Sequence, residues 1–241
     1  MLEIRDLFVE VEGKEILKGV TLSIKPGEMH VLMGPNGSGK TTLSLAIMGH
    51  PKHKVTKGEI LLDGKSIPNL PVNERAKLGL FLGFQYPQEV EGVSITNFLR
   101  TALLAKGESP DIKSFHSFVK ESAKKLGLSE ETLKRGLNNG FSGGEKKRSE
   151  VLQLAILRPK IAILDETDSG TDIDGVRLVA SCIREISKET GILLITHHSK
   201  ILEHMKPQFV HVLVDGRIVK SGGPELAEEI EKSGYVVMGN A

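Results

Sequence analysis

The sequence contains a single cysteine, Cys182, so no intrachain disulfide can form and no cysteine cluster can hold zinc or an iron–sulfur centre by itself. Tryptophan is absent, there are two tyrosines, and aromatic residues make up 4% of the chain, which argues against an aromatic stacking platform for single-stranded nucleic acid. Neither sign of charge is in excess. The 32 Lys and Arg against 31 Asp and Glu leave a formal net charge of +1, without the basic surplus of a typical nucleic-acid binder. No apolar run approaches the roughly 18 residues of a membrane span. The first residues, Met1 to Asp6, are mixed polar and lack the basic-then-apolar pattern of a secretory signal. The expectations are a cytoplasmic protein with no direct membrane insertion and no nucleic-acid partner.

What is present is an ordinary balance for a folded chain of 241 residues, 39% apolar and 26% charged. Three short β segments run into Gly-containing turns: Val9–Val11 before Gly13-Lys14, Ile60–Leu62 before Asp63-Gly64, and Val212–Val214 before Asp215-Gly216. Such pairs between apolar runs signal hairpins, and the first two predict an antiparallel sheet in the N-terminal third. His30–Met33, Gly79–Phe84, Ile161–Leu164 and Ile192–Ile195 are short apolar runs of the kind found in buried parallel strands. Leu43, Ala46 and Ile47 keep helical spacing until Gly49 and Pro51, and Val176, Val179, Ala180, Ile183 and Ile186 mark a second amphipathic helix beside which Cys182 reads as a small buried residue. From about Ile95 to Gln153 the pattern is mostly helical. Ile95, Phe98, Leu99, Ala102 and Leu103 share one face, as do Phe115, Phe118, Val119 and Ser122, with a loop across Lys106–Lys113. The predicted fold class is α/β: a parallel core carrying an antiparallel β appendage and a helical insertion.

Gly34-Pro35-Asn36-Gly37-Ser38-Gly39-Lys40-Thr41 matches the phosphate-binding P-loop pattern in full, between the strand of His30–Met33 and the helix of Leu43 and Ile47. A random chain of this length would carry its four fixed positions on the order of once in a hundred. Its glycines let backbone N–H groups wrap a polyphosphate at a helix start; Lys40 is placed to reach the β- and γ-phosphates, and the Thr41 hydroxyl to hold Mg²⁺. Ile161–Leu164 ends in Asp165 and Glu166. Asp165 suits a Mg²⁺ ligand, and Glu166 suits a general base that polarises an attacking water. Phe141-Ser142-Gly143-Gly144-Glu145 has the form of a capping box, yet two glycines oppose the helix such a box would start, each by about 1 kcal/mol relative to Ala. Bare backbone there reads instead as a second phosphate-binding helix terminus.

Gln85 and His197 also end apolar strands. Ligands of open parallel sheets bind at that carboxyl edge, so Gln85 is a candidate for Mg²⁺ or the water and His197 for the γ-phosphate. The remaining histidines read as bystanders: His50 and His53 sit in a Pro/Lys loop, and His198, His204 and His211 lack metal-ligand spacing with carboxylates. Lys146-Lys147-Arg148 reads as a solvated helix face.

Together these residues resemble the ABC-type ATPases, from about Leu2 to Gly223. P-loop, Q-loop glutamine (Gln85), signature (Ser142–Glu145), Asp165-Glu166 pair and H-loop histidine (His197) stand in that family's order, and Ser169-Gly170-Thr171-Asp172 is similar to its D-loop. The resemblance implies one P-loop NTPase domain over 1–241, with an antiparallel β subdomain and a helical subdomain at about 90–155. It implies ATP and Mg²⁺ as cofactors. Gly34, Asn36, Gly37, Ser38, Gly39, Lys40, Thr41 and Thr42 would hold the chain's own nucleotide; Thr41, Gln85 and Asp165 the metal; Lys40, Gln85, Glu166 and His197 would serve catalysis. It also implies a head-to-tail homodimer on ATP binding, in which Ser142 and Gly144 serve the partner's nucleotide. Thr171 departs from the usual D-loop Leu, His198 follows His197, and Val11 stands near where many members place an aromatic on the adenine.

Three segments resemble the soluble ATPases of Suf-type iron–sulfur cluster assembly: Gly83–Val93, Phe141–Arg148, and Asp165–Asp174, with Glu145 where transporter ATPases usually have Gln. This implies SufB- and SufD-like soluble partners. The alternatives are the nucleotide-binding subunit of an ABC membrane transporter, with the same chemistry, and a clamp that binds ATP without hydrolysing it.

Overall fold

The computed structural model describes residues 1–85, 87–165, 173–196 and 200–235. In chain order, β1 (Leu2–Val11), β2 (Lys14–Ile24) and β3 (Met29–Met33) lead into α1 (Lys40–Met48). Next come β4 (His53–Leu62), β5 (Lys65–Ser66), α2 (Val72–Lys77) and β6 (Leu80–Gly83). The helical stretch is β7 (Val90–Ser94), α3 (Ile95–Ala105), α4 (Ile112–Lys125), α5 (Glu130–Lys134), β8 (Gly136–Leu137) and α6 (Gly143–Leu157). The chain then returns through β9 (Ile161–Asp165), α7 (Ile173–Ile186), β10 (Gly191–Ile195), α8 (Lys200–Met205), β11 (Phe209–Val214), β12 (Arg217–Gly222) and α9 (Glu225–Ser233).

The strands form two main sheets. An antiparallel sheet has the order β2-β1-β4-β5, and a six-stranded sheet has the order β12-β11-β3-β10-β9-β6, parallel except for β12. All three expected hairpins form. Each turns on two residues with positive φ, as a two-residue I′ turn requires: Glu12-Gly13 (51°, 81°), Asp63-Gly64 (51°, 76°) and Asp215-Gly216 (46°, 79°). The third joins the core sheet rather than the appendage.

Apart from His30 in β3 and Asp165 at the end of β9, the strands β3, β9 and β10 are apolar, and their two faces show why. Met29, Val31, Leu164 and Leu194 pack toward the helices α3, α4, α6 and α7. Leu32, Ile161, Ile163, Leu193 and Ile195 pack toward α1 and the antiparallel sheet. With both sides covered, alternate polar positions would be buried without partners, so the strands read as continuous apolar runs. Each such aliphatic side chain stabilises the fold by about 1.5–3 kcal/mol.

Two expectations from residue type need correcting. The buried line of α4 is Phe115, Val119 and Ala123, at i, i+4 spacing, whereas Phe118 is 37% exposed with the Arg158 guanidinium 5.1 Å above its ring. And Lys147 is not part of a solvated face: it is 3% exposed and paired with Glu150. The expected loop across Lys106–Lys113 is found between α3 and α4, where Asp111 caps α4 by accepting the Ser114 N–H at 2.9 Å.

Candidate nucleotide site

The loop between β3 and α1 lies at the carboxyl edge of the core sheet, beside the β11–β12 turn. Its glycines answer separate constraints. A Cβ on Gly34 would sit 2.1 Å from the Leu213 carbonyl oxygen of neighbouring β11, so this glycine is required by the fold. Gly37, at φ 81°, has nothing within 4 Å of a would-be Cβ and faces open space. Gly39 caps α1 in the left-handed conformation, with no side-chain cap and no acidic residue in the first turn. The helix start therefore keeps its N–H groups and the positive end of its dipole for a ligand.

Lys40 Nζ donates to the Gly34 and Pro35 carbonyls at 2.8 and 3.0 Å, folding back over the loop. Beneath it the Ser38 hydroxyl oxygen is buried with no hydrogen-bond partner. An unsatisfied buried hydroxyl costs about 1–3 kcal/mol, and this one lies close against Gly34. At the floor, Thr41 Oγ1 donates to Asp165 Oδ2 at 3.2 Å, joining the start of α1 to the end of β9. Gln85 approaches from the end of β6. The cavity these groups enclose measures about 610 Å³ and is lined by Ile16, Asn36, Gly37, Gly39, Lys40, Thr41, Thr42, Gln85 and Asp165.

Of the loop and metal residues predicted for this site, Gly34 and Ser38 are not among the lining residues, and Ile16 is an addition. Ile16, on β2, forms a wall of the cavity, whereas Val11 is not among the lining residues. Position 16 carries no local signal in the sequence. It reaches the site because β2 is stitched to the β11–β12 turn, with the Lys18 N–H donating to the Gly216 carbonyl at 2.9 Å.

Ser142 and Gly144 do not line this cavity. They sit at the start of α6, where the capping box is complete: Ser142 Oγ accepts the Glu145 N–H at 3.2 Å and Glu145 Oε2 accepts the Ser142 N–H at 2.9 Å. The helix begins at Gly143, so the two glycines are accommodated within the capped first turn rather than opposing it. The Ser142 N–H holds the Glu145 carboxyl below the usual carboxylate range. Glu166, His197, His198 and Ser169 to Asp172 lie outside the described residues.

The donor set suits a hard cation with a polyphosphate. It offers a hydroxyl, a carboxylate and an amide, which together with phosphate oxygens and water make up the octahedral oxygen shell of Mg²⁺. Among the described residues no cluster of three or more His, Cys, Asp or Glu is set to bind a metal without such help. Also among them, no helix is long and apolar enough to cross a membrane.

Comparison with known proteins gives the same picture. A family profile described as "ABC transporter" matches residues 17–169. Vegetative protein 296 of Bacillus subtilis is 54% identical over 238 residues, covering 97% of this chain and 91% of the relative. A probable ABC transporter ATP-binding protein of Streptococcus pyogenes is 52% identical over 239 residues, covering 98% and 93%. In fold, the chain is similar to a solved dimeric ATP-binding cassette in a post-hydrolysis state bound to ADP and Pi. The TM-score is 0.79 at 21% identity, covering 93% of this chain and 99% of the other.

Proposed function

The chain belongs to the ABC transporter family of ATP-binding proteins, and we propose that within it the protein is a SufC-type subunit, hydrolysing ATP to drive conformational change in a soluble iron–sulfur cluster assembly complex. Cassettes of this family bind ATP with Mg²⁺ and hydrolyse it. The observation that supports the ATPase part of this reading is the Thr41–Asp165 contact at the floor of the P-loop cavity, which brings the two candidate Mg²⁺ ligands together.

The whole of 1–241 is read as one cassette, with a helical subdomain at about 90–155. Lys40 and the loop from Gly34 through Asn36, Gly37, Ser38 and Gly39 to Thr41 and Thr42 hold the triphosphate. Thr41, Asp165 and Gln85 hold Mg²⁺, which when bound neutralises charge on the transferring phosphoryl group. Glu166 polarises the attacking water and His197 contacts the γ-phosphate. Ser142, exposed, and Gly144, half-buried, at the α6 start and outside the lining of the chain's own cavity, serve the nucleotide of a head-to-tail partner; the solved cassette similar to this one is itself a dimer.

The Suf assignment is supported by the Gly83–Val93, Phe141–Arg148 and Asp165–Asp174 segments, which resemble the Suf ATPases, and it brings SufB- and SufD-like partners and a cytoplasmic location with it. The second reading, the nucleotide-binding subunit of a membrane transporter, draws its support from the name of the streptococcal relative. The two are separated by purifying the tagged Glu166→Gln protein from its own cells with Mg-ATP and identifying its companions. Soluble SufB- and SufD-like proteins are expected. Companions with membrane spans would overturn the Suf assignment and leave the ATPase chemistry standing.

A further inference from the structure

The helix that begins with the signature buries a pair of charges whose purpose is not evident from the cavity alone. Lys147 and Glu150, one turn apart on α6, have side chains 3% and 7% exposed, with Nζ and Oε2 3.4 Å apart. Removing two charges from water costs several kcal/mol per ion, and an apolar pair of similar volume is often as stable or more so. The pair's other contacts account for its presence. Glu150 Oε1 accepts the Phe84 N–H at 2.7 Å, and Lys147 Nζ donates to the Phe84 carbonyl at 2.8 Å.

Phe84 is the first residue beyond the last ladder pair of β6, Gly83 with Leu164, and β6 is the edge of the core sheet. The ladder therefore stops one residue short of it, and the buried ion pair takes over both of its peptide groups. At Gly83 an added Cβ would be tight only against the Leu164 side chain, at 3.2 Å, and would meet the Glu150 carboxyl at an ordinary 3.7 Å. The residue after Phe84 is Gln85, in the cavity wall. The strip that follows is fastened to the same region twice more, Lys146 Nζ to Glu89 Oε1 at 2.8 Å and Asn138 Nδ2 to the Gln88 carbonyl at 2.9 Å.

We propose that Lys147 and Glu150 are positioning residues for Gln85: they grip the Phe84 peptide from both sides and so fix where the Gln85 side chain enters the cavity. The proposal rests on the reading of Gln85 as a group of the hydrolysis site. Neither residue lines the cavity, but the Glu150 carboxylate also feels the charge of Asp165, so only a cycle with Gln85 separates a path through Gln85 from one through Asp165.

The test is a cycle on the full chain in which the Lys147→Met/Glu150→Leu pair is combined with Gln85→Ala. Removing both charges together leaves neither ion buried alone, so this variant folds where Glu150→Ala, which strands Lys147, is at risk. The expected result is a roughly tenfold fall in kcat, with the KM for ATP within about twofold and a melting temperature lower by a few degrees, because the Phe84 N–H and carbonyl lose their partners. Added to Gln85→Ala, the pair should cost almost nothing more, as residues acting as one unit do. Full activity of the pair, or effects that multiply in the triple variant, would overturn the proposal while leaving Gln85 in the site. Wild-type turnover of Gln85→Ala alone would remove Gln85 from the hydrolysis site, and the proposal with it.

Discussion

Thr41 and Asp165, 124 residues apart, meet at 3.2 Å because the P-loop strand β3 and the acidic strand β9 both pair with β10 and end at the same edge. Two motifs that are separate in sequence thus form one floor of the cavity.

Asp165→Asn keeps the shape of that floor and removes its charge. Loss of one charge-assisted contact, worth about 1.5 kcal/mol, raises the Mg²⁺ concentration for half-maximal turnover about tenfold. Titrating Mg²⁺ against ATPase rate checks this, and chelation of Mg²⁺ should abolish turnover in the unmodified protein.

Lys40→Ala removes the ammonium that leans over the loop. A charged hydrogen bond to phosphate is worth about 1.5–3 kcal/mol, so ATP affinity should fall between about ten- and a hundredfold. Equilibrium binding of a fluorescent ATP analogue measures it directly. Unchanged affinity would contradict the P-loop assignment.

Arg75 closes the other end of α1. It is 2% exposed, and its guanidinium donates to the Ala46 and Ile47 carbonyls at 2.8 and 2.7 Å, to Pro68 at 2.6 Å and to Leu70 at 2.9 Å. Arg75→Ala leaves those acceptors unsatisfied and removes a cation from the negative end of the helix dipole. The expected loss is about 3 kcal/mol, or a melting point lower by about 10 °C at this chain length.

A histidine pair makes stability depend on pH. His30 Nδ1 and His211 Nε2 lie 3.0 Å apart in the core sheet, with Glu28 against His30, Ser221 against His211, and Phe209 stacked on His30. Burial, with some help from the charge of His30, pushes His211 down from 6.5 to about 4. The unfolded chain thus takes up the proton first on acidification, so stability is complete above pH 6.5 and is lost as pH falls toward 4. The loss from this group is on the order of 3 kcal/mol between pH 7.5 and pH 4. Urea melts of the wild type and His211→Gln across that range check it, and the variant should show the shallower slope.

How much of this was legible in the sequence depends on how local each signal is. The core strands announced themselves because burial on both faces leaves no alternation, and the P-loop because its glycines and Lys40 sit in one run of eight residues. Ile16 was silent, since its place in the cavity wall depends on a hairpin folding over the loop. Lys147 was misread for the same reason: its burial is set by Glu150 and by the Phe84 peptide 63 positions away. Phe118 keeps helical spacing with Phe115 and Val119, and only the packing of α4 shows that the buried line passes through Ala123 instead. The pairing of β7 with the two-residue β8 is too short to leave a periodicity.

In the proposed function ATP drives a cycle closed by binding and opened by hydrolysis, with Glu166 as the base. Turnover and light-scattering mass of the Glu166→Gln protein in Mg-ATP, taken on one sample, measure both halves of that cycle. The expected rate is at least about a hundredfold below wild type, the scale of losing a general base, together with a mass near twice the 26.2 kDa of one chain. Hydrolysis at the wild-type rate would contradict it.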